Sequence, residues 1–245
     1  MDEPQYLDTL ATNSQGLLTA ARQGLDGRVP ACPDWTVGHV LAHVGRAYNA
    51  FGEMIRTRSQ QPIAPRPNDH SFDRRDPAII PWFEASFDRY VETMRNTDAD
   101  ESVWSWAGDS RAGFWLRLIA HETAIHRTDA ESAHDEPKPI EADLATDGIN
   151  GMLDWFLPRS RAFSLFPSHG ERYLFRRADG DEIWLVTFTE DGVMARREAG
   201  NADVVIEAPA SDLLLFLWHR LPPERLPAKG DRRLLTHYRD LVPGV

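Results

Sequence analysis

The sequence has 245 residues, 42% of them hydrophobic, with 38 acidic and 27 basic side chains for a formal charge of −11. A single cysteine excludes a disulfide framework, and the length allows one large domain or two ordinary ones, each with a real core. An acidic chain without a basic cluster repels phosphate backbones and anionic lipid, so nucleic-acid and membrane partners are not expected and a small molecule or a protein is.

Apolar runs such as Leu213 to Trp218 fall far short of the roughly 20 residues that span a bilayer, and the start Met1-Asp2-Glu3 is unlike a signal peptide. A cytoplasmic protein is therefore expected. Of the basic residues 25 are Arg, with Lys only at Lys138 and Lys229, a skew that GC-rich coding produces.

From Tyr6 to Leu25 apolar residues recur at three-to-four spacing, which predicts an amphipathic helix. Pro30 and Pro33 reset the chain. Thr36 is a natural N-cap for a second helix with Val37, Val40, Leu41, Val44, Tyr48 and Phe51 on its inner face, running toward Arg58. Three prolines within Gln61 to Asp76 predict a loop. A third helix is expected from Pro81 through Met94 and a fourth from about Ala112 to Ala133. Four such helices point to a bundle. A fifth helical pattern covers Ile140 to Phe156.

After Pro167 the period changes from helical to alternating. Short β-rich runs at Tyr173–Phe175, Ile183–Phe188, Val193–Ala195 and Val204–Ile206 are separated by turn signals such as Asp179-Gly180 and Asp191-Gly192. An apolar helix over Ser211 to His219 follows. The fold class expected is α+β, a helical bundle over residues 1–162 and a small α/β domain over 163–245.

The most informative segment is His121-Glu122-Thr123-Ala124-Ile125-His126 in the fourth helix. At about 100° per residue His121 and His126 stand roughly 140° apart, whereas Glu122 and His126 are separated by only about 40°. Glu122 with His126 is thus the usable metal-binding pair, and Asp129, three positions on, can orient the His126 ring. The second helix offers His39 and His43, also four apart, and either can supply a third ligand across a bundle interior. Three protein ligands with an open position is the arrangement of a catalytic zinc.

The other histidines are expected at the surface: His70 and His134 in polar loops, and His169 and His237 near turns or the terminus. His121 is expected at the surface or behind the ligands, and His219 as a cation favoured by the dipole of its helix. Cys32 has no basic neighbour and no second thiol, so it is expected to be structural or incidental. No Gly-rich phosphate loop and no serine nucleophile elbow is present.

Val29-Pro30-Ala31-Cys32-Pro33-Asp34-Trp35-Thr36-Val37-Gly38-His39-Val40-Leu41-Ala42-His43-Val44, together with His121-Glu122 through His126-Arg127-Thr128-Asp129-Ala130, resembles the mycothiol-dependent maleylpyruvate isomerase family. This is a metal-binding branch of the DinB-like four-helix bundles. Ala202-Asp203-Val204 and Ala210 to Arg220 are similar to that family's smaller α/β domain, which is itself like sterol carrier proteins.

The resemblance implies His43, Glu122 and His126 as metal ligands, with His39 and Arg220 as catalytic residues. It also implies a divalent cation, usually zinc, and mycothiol as cofactors. The reaction implied is attack by a metal-activated thiolate on an electrophile, giving cis–trans isomerisation of a maleylpyruvate-like diacid. Mycothiol S-transfer is the alternative, and a non-catalytic small-ligand-binding protein is a second one. The partners expected are the substrate and the low-molecular-weight thiol, for a monomer or homodimer.

Overall fold

Asp2 opens the first helix with a reciprocal cap: its carboxylate accepts from the Gln5 amide N–H (3.0 Å) while its own N–H donates to the Gln5 side chain (2.7 Å). The computed structural model describes residues 1–63, 73–162 and 164–243. His70 and much of the loop expected over 61–76 lie outside the described residues.

The chain divides into two compact units, Met1–Lys138 and Pro139–Val245. The first holds α1 (Glu3–Gln23), α2 (Val37–Arg56), α3 (Ile79–Arg95) and α4 (Ala112–Glu131). Contacts join α1 with α4, α2 with α3, and α2 with α4. Helical periodicity turns one face of each helix inward, and Leu10, Leu17, Val40, Leu41, Tyr48, Phe83, Tyr90, Trp115 and Ile119 are buried.

One polar chain crosses this core. The Tyr48 hydroxyl lies 2.7 Å from Ser14 Oγ and 3.0 Å from Thr123 Oγ1, so α1, α2 and α4 share a satisfied buried network. Burial pushes the Tyr48 phenol well above its ordinary range, and the two hydroxyls offset only part of that.

The second unit holds α5 (Ala142–Gly151), a π-helical stretch over Met152–Phe156, α6 (Leu157–Ala162), five strands, α7 (Ala210–Leu217) and α8 (Arg233–Leu241). The strands are β1 (Arg172–Arg177), β2 (Ile183–Thr189), β3 (Gly192–Arg196), β4 (Val204–Ala208) and β5 (Ala228–Gly230), in sheet order β3-β2-β1-β4-β5. β1 and β4 are parallel and the other pairs antiparallel. Alternate residues Tyr173, Phe175, Val204 and Ile206 are buried, and on this side Phe175 meets Phe216 of α7 while Tyr173 and Phe188 meet Tyr238 of α8.

The units divide at 138/139, whereas the sequence puts the domain boundary at 162/163. Periodicity marks where helix gives way to strand, but contacts mark where packing changes. α5 packs on α7, the Ile140 N–H donates to Ser211 Oγ (2.9 Å) and Trp184 Nε1 donates to Asn150 Oδ1 (2.9 Å). Among the described residues no helix is long and apolar enough to cross a membrane.

Candidate metal centre

Glu122 and His126 sit one turn apart on α4, and α2, packed alongside, brings His43 to them. One ligand atom from each of the three lies within 4.8 Å of the others. His126 Nε2 is 3.4 Å from Glu122 Oε2, and His43 Nε2 is 4.0 Å from the same oxygen. Tetrahedral bonds of about 2.0–2.2 Å hold neighbouring donors about 3.4 Å apart, the spacing His126 and Glu122 already have, so these two imidazoles and one carboxylate could hold a metal ion. The His43 side chain is 41% exposed against 6% for His126, so the centre is open on the α2 side.

His126 is oriented from behind. Its Nδ1 is 2.9 Å from Asp129 Oδ2, one turn further along α4, and the Asp129 side chain is fully buried. A carboxylate partner at Nδ1 keeps that nitrogen protonated and leaves Nε2 to face Glu122 and His43. Trp35 covers the rings: it stacks on His126 (centroids 6.0 Å, 16° between planes) and tilts against His43 (5.2 Å). The tight turn through Pro30–Asp34 sets the indole there, closed by the Trp35 N–H on Cys32 O (2.8 Å) and the Val29 N–H on Trp35 O (3.1 Å).

Burial by itself pushes the His126 imidazolium toward a lower pKa and the Glu122 carboxyl toward a higher one. Their hydrogen bonds outweigh burial in both cases. Asp129 and Glu122 hold His126 up at about 9, and His126 and His43 hold Glu122 down at about 2.

In the metal-free protein the raised His126 pKa is stabilising below its ordinary value of 6.5, and that contribution is lost as pH rises through about 9. The lowered Glu122 pKa is stabilising above 4.5 and lost as pH falls through about 2. A cation at Nε2 must displace the His126 proton. Zinc titrations of chelator-stripped protein are expected to show affinity rising from about pH 6 toward about pH 9, with proton release. An affinity flat over that range would contradict this geometry.

His39 and His43 share one helix face, and the structure gives them different surroundings. His39 occupies the third position of α2, where its Nδ1 accepts from the Thr36 backbone N–H (3.2 Å) and lies 2.9 Å from the Thr36 hydroxyl. Burial, and then the positive charge of Arg74, lower its pKa and keep the ring neutral. Arg220 belongs to the second unit, in the turn after α7, where its Nη1 donates to Trp218 O (2.8 Å).

Two histidines differ from expectation. His121 is 2% exposed and packs edge-on against Tyr6, because its α4 face turns to α1 and away from Glu122 and His126. His219 is not a helix-capping cation. Burial, with Arg239 and Arg220 near, lowers its pKa to about 4, so the ring is neutral at the end of α7. Of the remaining histidines, His237 lies near Asp240 (3.2 Å) and Glu171 (3.5 Å), and the His169 N–H donates to Glu171. Trp35 is legible in the sequence only as part of a motif, since its contact with both histidine rings depends on the turn.

Residues 7–131 match the family model described as the mycothiol maleylpyruvate isomerase N-terminal domain, and residues 143–237 match that of the MDMPI C-terminal domain. Among solved structures the chain is similar to the crystal structure of the mycothiol-dependent maleylpyruvate isomerase. The two are 14% identical over 94% of this chain and 93% of that one, with a TM-score of 0.68. A histidine-to-alanine mutant of that isomerase is similar at 12% identity, with the same coverage and a TM-score of 0.67. At such identities the likeness establishes the fold. No curated protein matches the sequence.

Proposed function

The chain belongs to the mycothiol maleylpyruvate isomerase family, and on that premise we propose that it catalyses the mycothiol-dependent cis–trans isomerisation of a maleylpyruvate-like diacid at the His43, Glu122 and His126 centre. The observation that carries this reading is the convergence of three donors from α2 and α4 with an open side. Two imidazoles and one carboxylate suit zinc. A bound dication would lower the pKa of a thiol brought to the open position, making it a nucleophile at neutral pH.

The chain's own residues set the geometry for this chemistry. Asp129 holds the His126 ring in one tautomer and orientation, and Trp35 shields the two imidazoles on one side. His39 acts as a positioning residue: its contact with Thr36 fixes the start of α2, one turn before His43. Arg220 is assigned to a substrate carboxylate, which its planar guanidinium suits.

The test is to incubate zinc-loaded protein with mycothiol and a maleylpyruvate-like cis diacid. Trans product without net loss of thiol is expected, and a stable thioether in its place would make the protein an S-transferase. Because the reactive sulfur arrives on the cofactor, Cys32→Ser is expected to retain turnover. A folded, zinc-loaded but inactive Cys32→Ser protein would overturn that assignment.

A further inference from the structure

On the second unit the sheet carries a cavity of about 690 Å³ lined by Arg176 of β1, Val205 and Glu207 of β4, and Pro227, Lys229 and Arg232 around β5. Its volume falls in the range of small-molecule sites, about 300–1,000 Å³. The register explains how charges gather there. Arg176 pairs with Glu207 across β1/β4, and Lys229 pairs with Val205 across β4/β5. These residues therefore alternate with the buried Phe175 and Ile206 and project from the opposite side of the sheet.

Elsewhere in this unit arginines have carboxylate partners: Arg172 with Asp203, Arg177 with Asp179 and Glu182, and Arg233 with Asp231. The cations of the cavity differ. Among the described residues neither Arg176 nor Lys229 has a side-chain ion pair, although the chain carries an acidic excess and Glu207 stands beside Arg176. Arg232 makes only long contacts to backbone carbonyls, Leu226 O at 3.3 Å and Ala228 O at 3.4 Å. Arg176 Nε is buried without any acceptor. A buried donor left unpaired is costly, and an acceptor delivered by a ligand removes that cost.

Three cations against one carboxylate leave the cavity with an excess of two positive charges, and Val205 and Pro227 add an apolar part to its lining. We propose that this cavity is a binding site for a small organic dianion, one doubly charged head carried on a short apolar body. Dicarboxylates and phosphate monoesters share that chemistry, and guanidinium forks bind either head through paired hydrogen bonds.

The test titrates the full chain, zinc-loaded and chelator-stripped, with phthalate and with phenyl phosphate by calorimetry. At least one probe is expected to bind saturably at one site, with equal affinity in both preparations. The tighter of the two identifies the head as carboxylate or phosphate. Lys229→Met and Arg232→Met alter exposed side chains, so folding is expected to survive, and each should weaken binding about tenfold or more. Arg233→Met, at a neighbouring exposed arginine already paired with Asp231, is expected to leave binding unchanged. The proposal is overturned if neither probe saturates by about 10 mM, if both cavity variants bind as the parent does, or if binding disappears with the metal.

Discussion

Glu122→Gln is expected to lower zinc affinity by more than about 100-fold and turnover to near background, while the helical circular dichroism signal stays at the parent level. Glu122 brings the one negative charge among the three donors, and its oxygen is the atom both histidine Nε2 atoms approach, at 3.4 and 4.0 Å. A carboxamide keeps the shape and an acceptor but loses the charge that offsets a dication. The fold should tolerate the change, because the Glu122 side chain is only partly buried and the core residues of α4 are left in place. Competition with a chromophoric chelator and elemental analysis read the metal directly. Unchanged zinc content would remove Glu122 from the ligand set, whatever the activity assay showed.

Arg127→Ala is expected to destabilise the first unit by about 3–5 kcal/mol without removing a ligand. Arg127 follows His126 on α4, and its side chain is 7% exposed. Its guanidinium donates to Asn13 Oδ1 of α1 (2.8 Å), to Lys138 O (3.0 Å) and to Glu131. Glu131 in turn accepts from the Lys138 N–H (3.0 Å). α1 rests on the stem of the same side chain at Gly16, where a Cβ would stand 2.6 Å from Arg127 Cδ. Truncation therefore leaves the Glu131 carboxylate with the Lys138 N–H but without its countercharge, takes a partner from the buried Asn13 and opens a void between α1 and α4. For a chain of this size, a melting temperature lower by roughly 6–20 °C is the corresponding reading. Arg127→Met keeps most of the stem and should lose less. A change below about 1 kcal/mol for Arg127→Ala would contradict this account of the α1–α4 contact.

Much of the candidate metal centre is legible in the sequence. A four-residue spacing places Glu122 and His126 on one helix face, and the same rule puts His121 on another, where the structure buries it against Tyr6. Asp129, three residues beyond His126, is legible for the same reason. Spacing does not choose between His39 and His43, since both lie on one face of α2. That choice depends on His39 being in the first turn, within reach of Thr36, while His43 stands a turn further along beside α4. In the second unit four of the five strands announce themselves by alternation. β5, three residues including Lys229 and Gly230, has no such pattern and forms because β4 offers it an edge. α8 escapes a reading by composition too: Leu235, Tyr238 and Leu241 recur at helical spacing, but the residues around them are polar.

The sequence by itself determined the local structure: which segments coil and which alternate, that Thr36 caps α2, and that Glu122, His126 and Asp129 share a helix face. Each of these follows from periodicity or from hydrogen bonds between residues a few positions apart. Tertiary structure decided whatever joins distant segments. It brings His43 to Glu122, lays Trp35 over two imidazoles, groups α5 with α7, and gathers Arg176, Lys229 and Arg232 around one cavity. Such proximities arise from helix packing and strand register, in which residues tens of positions apart become neighbours, and no local pattern carries that information.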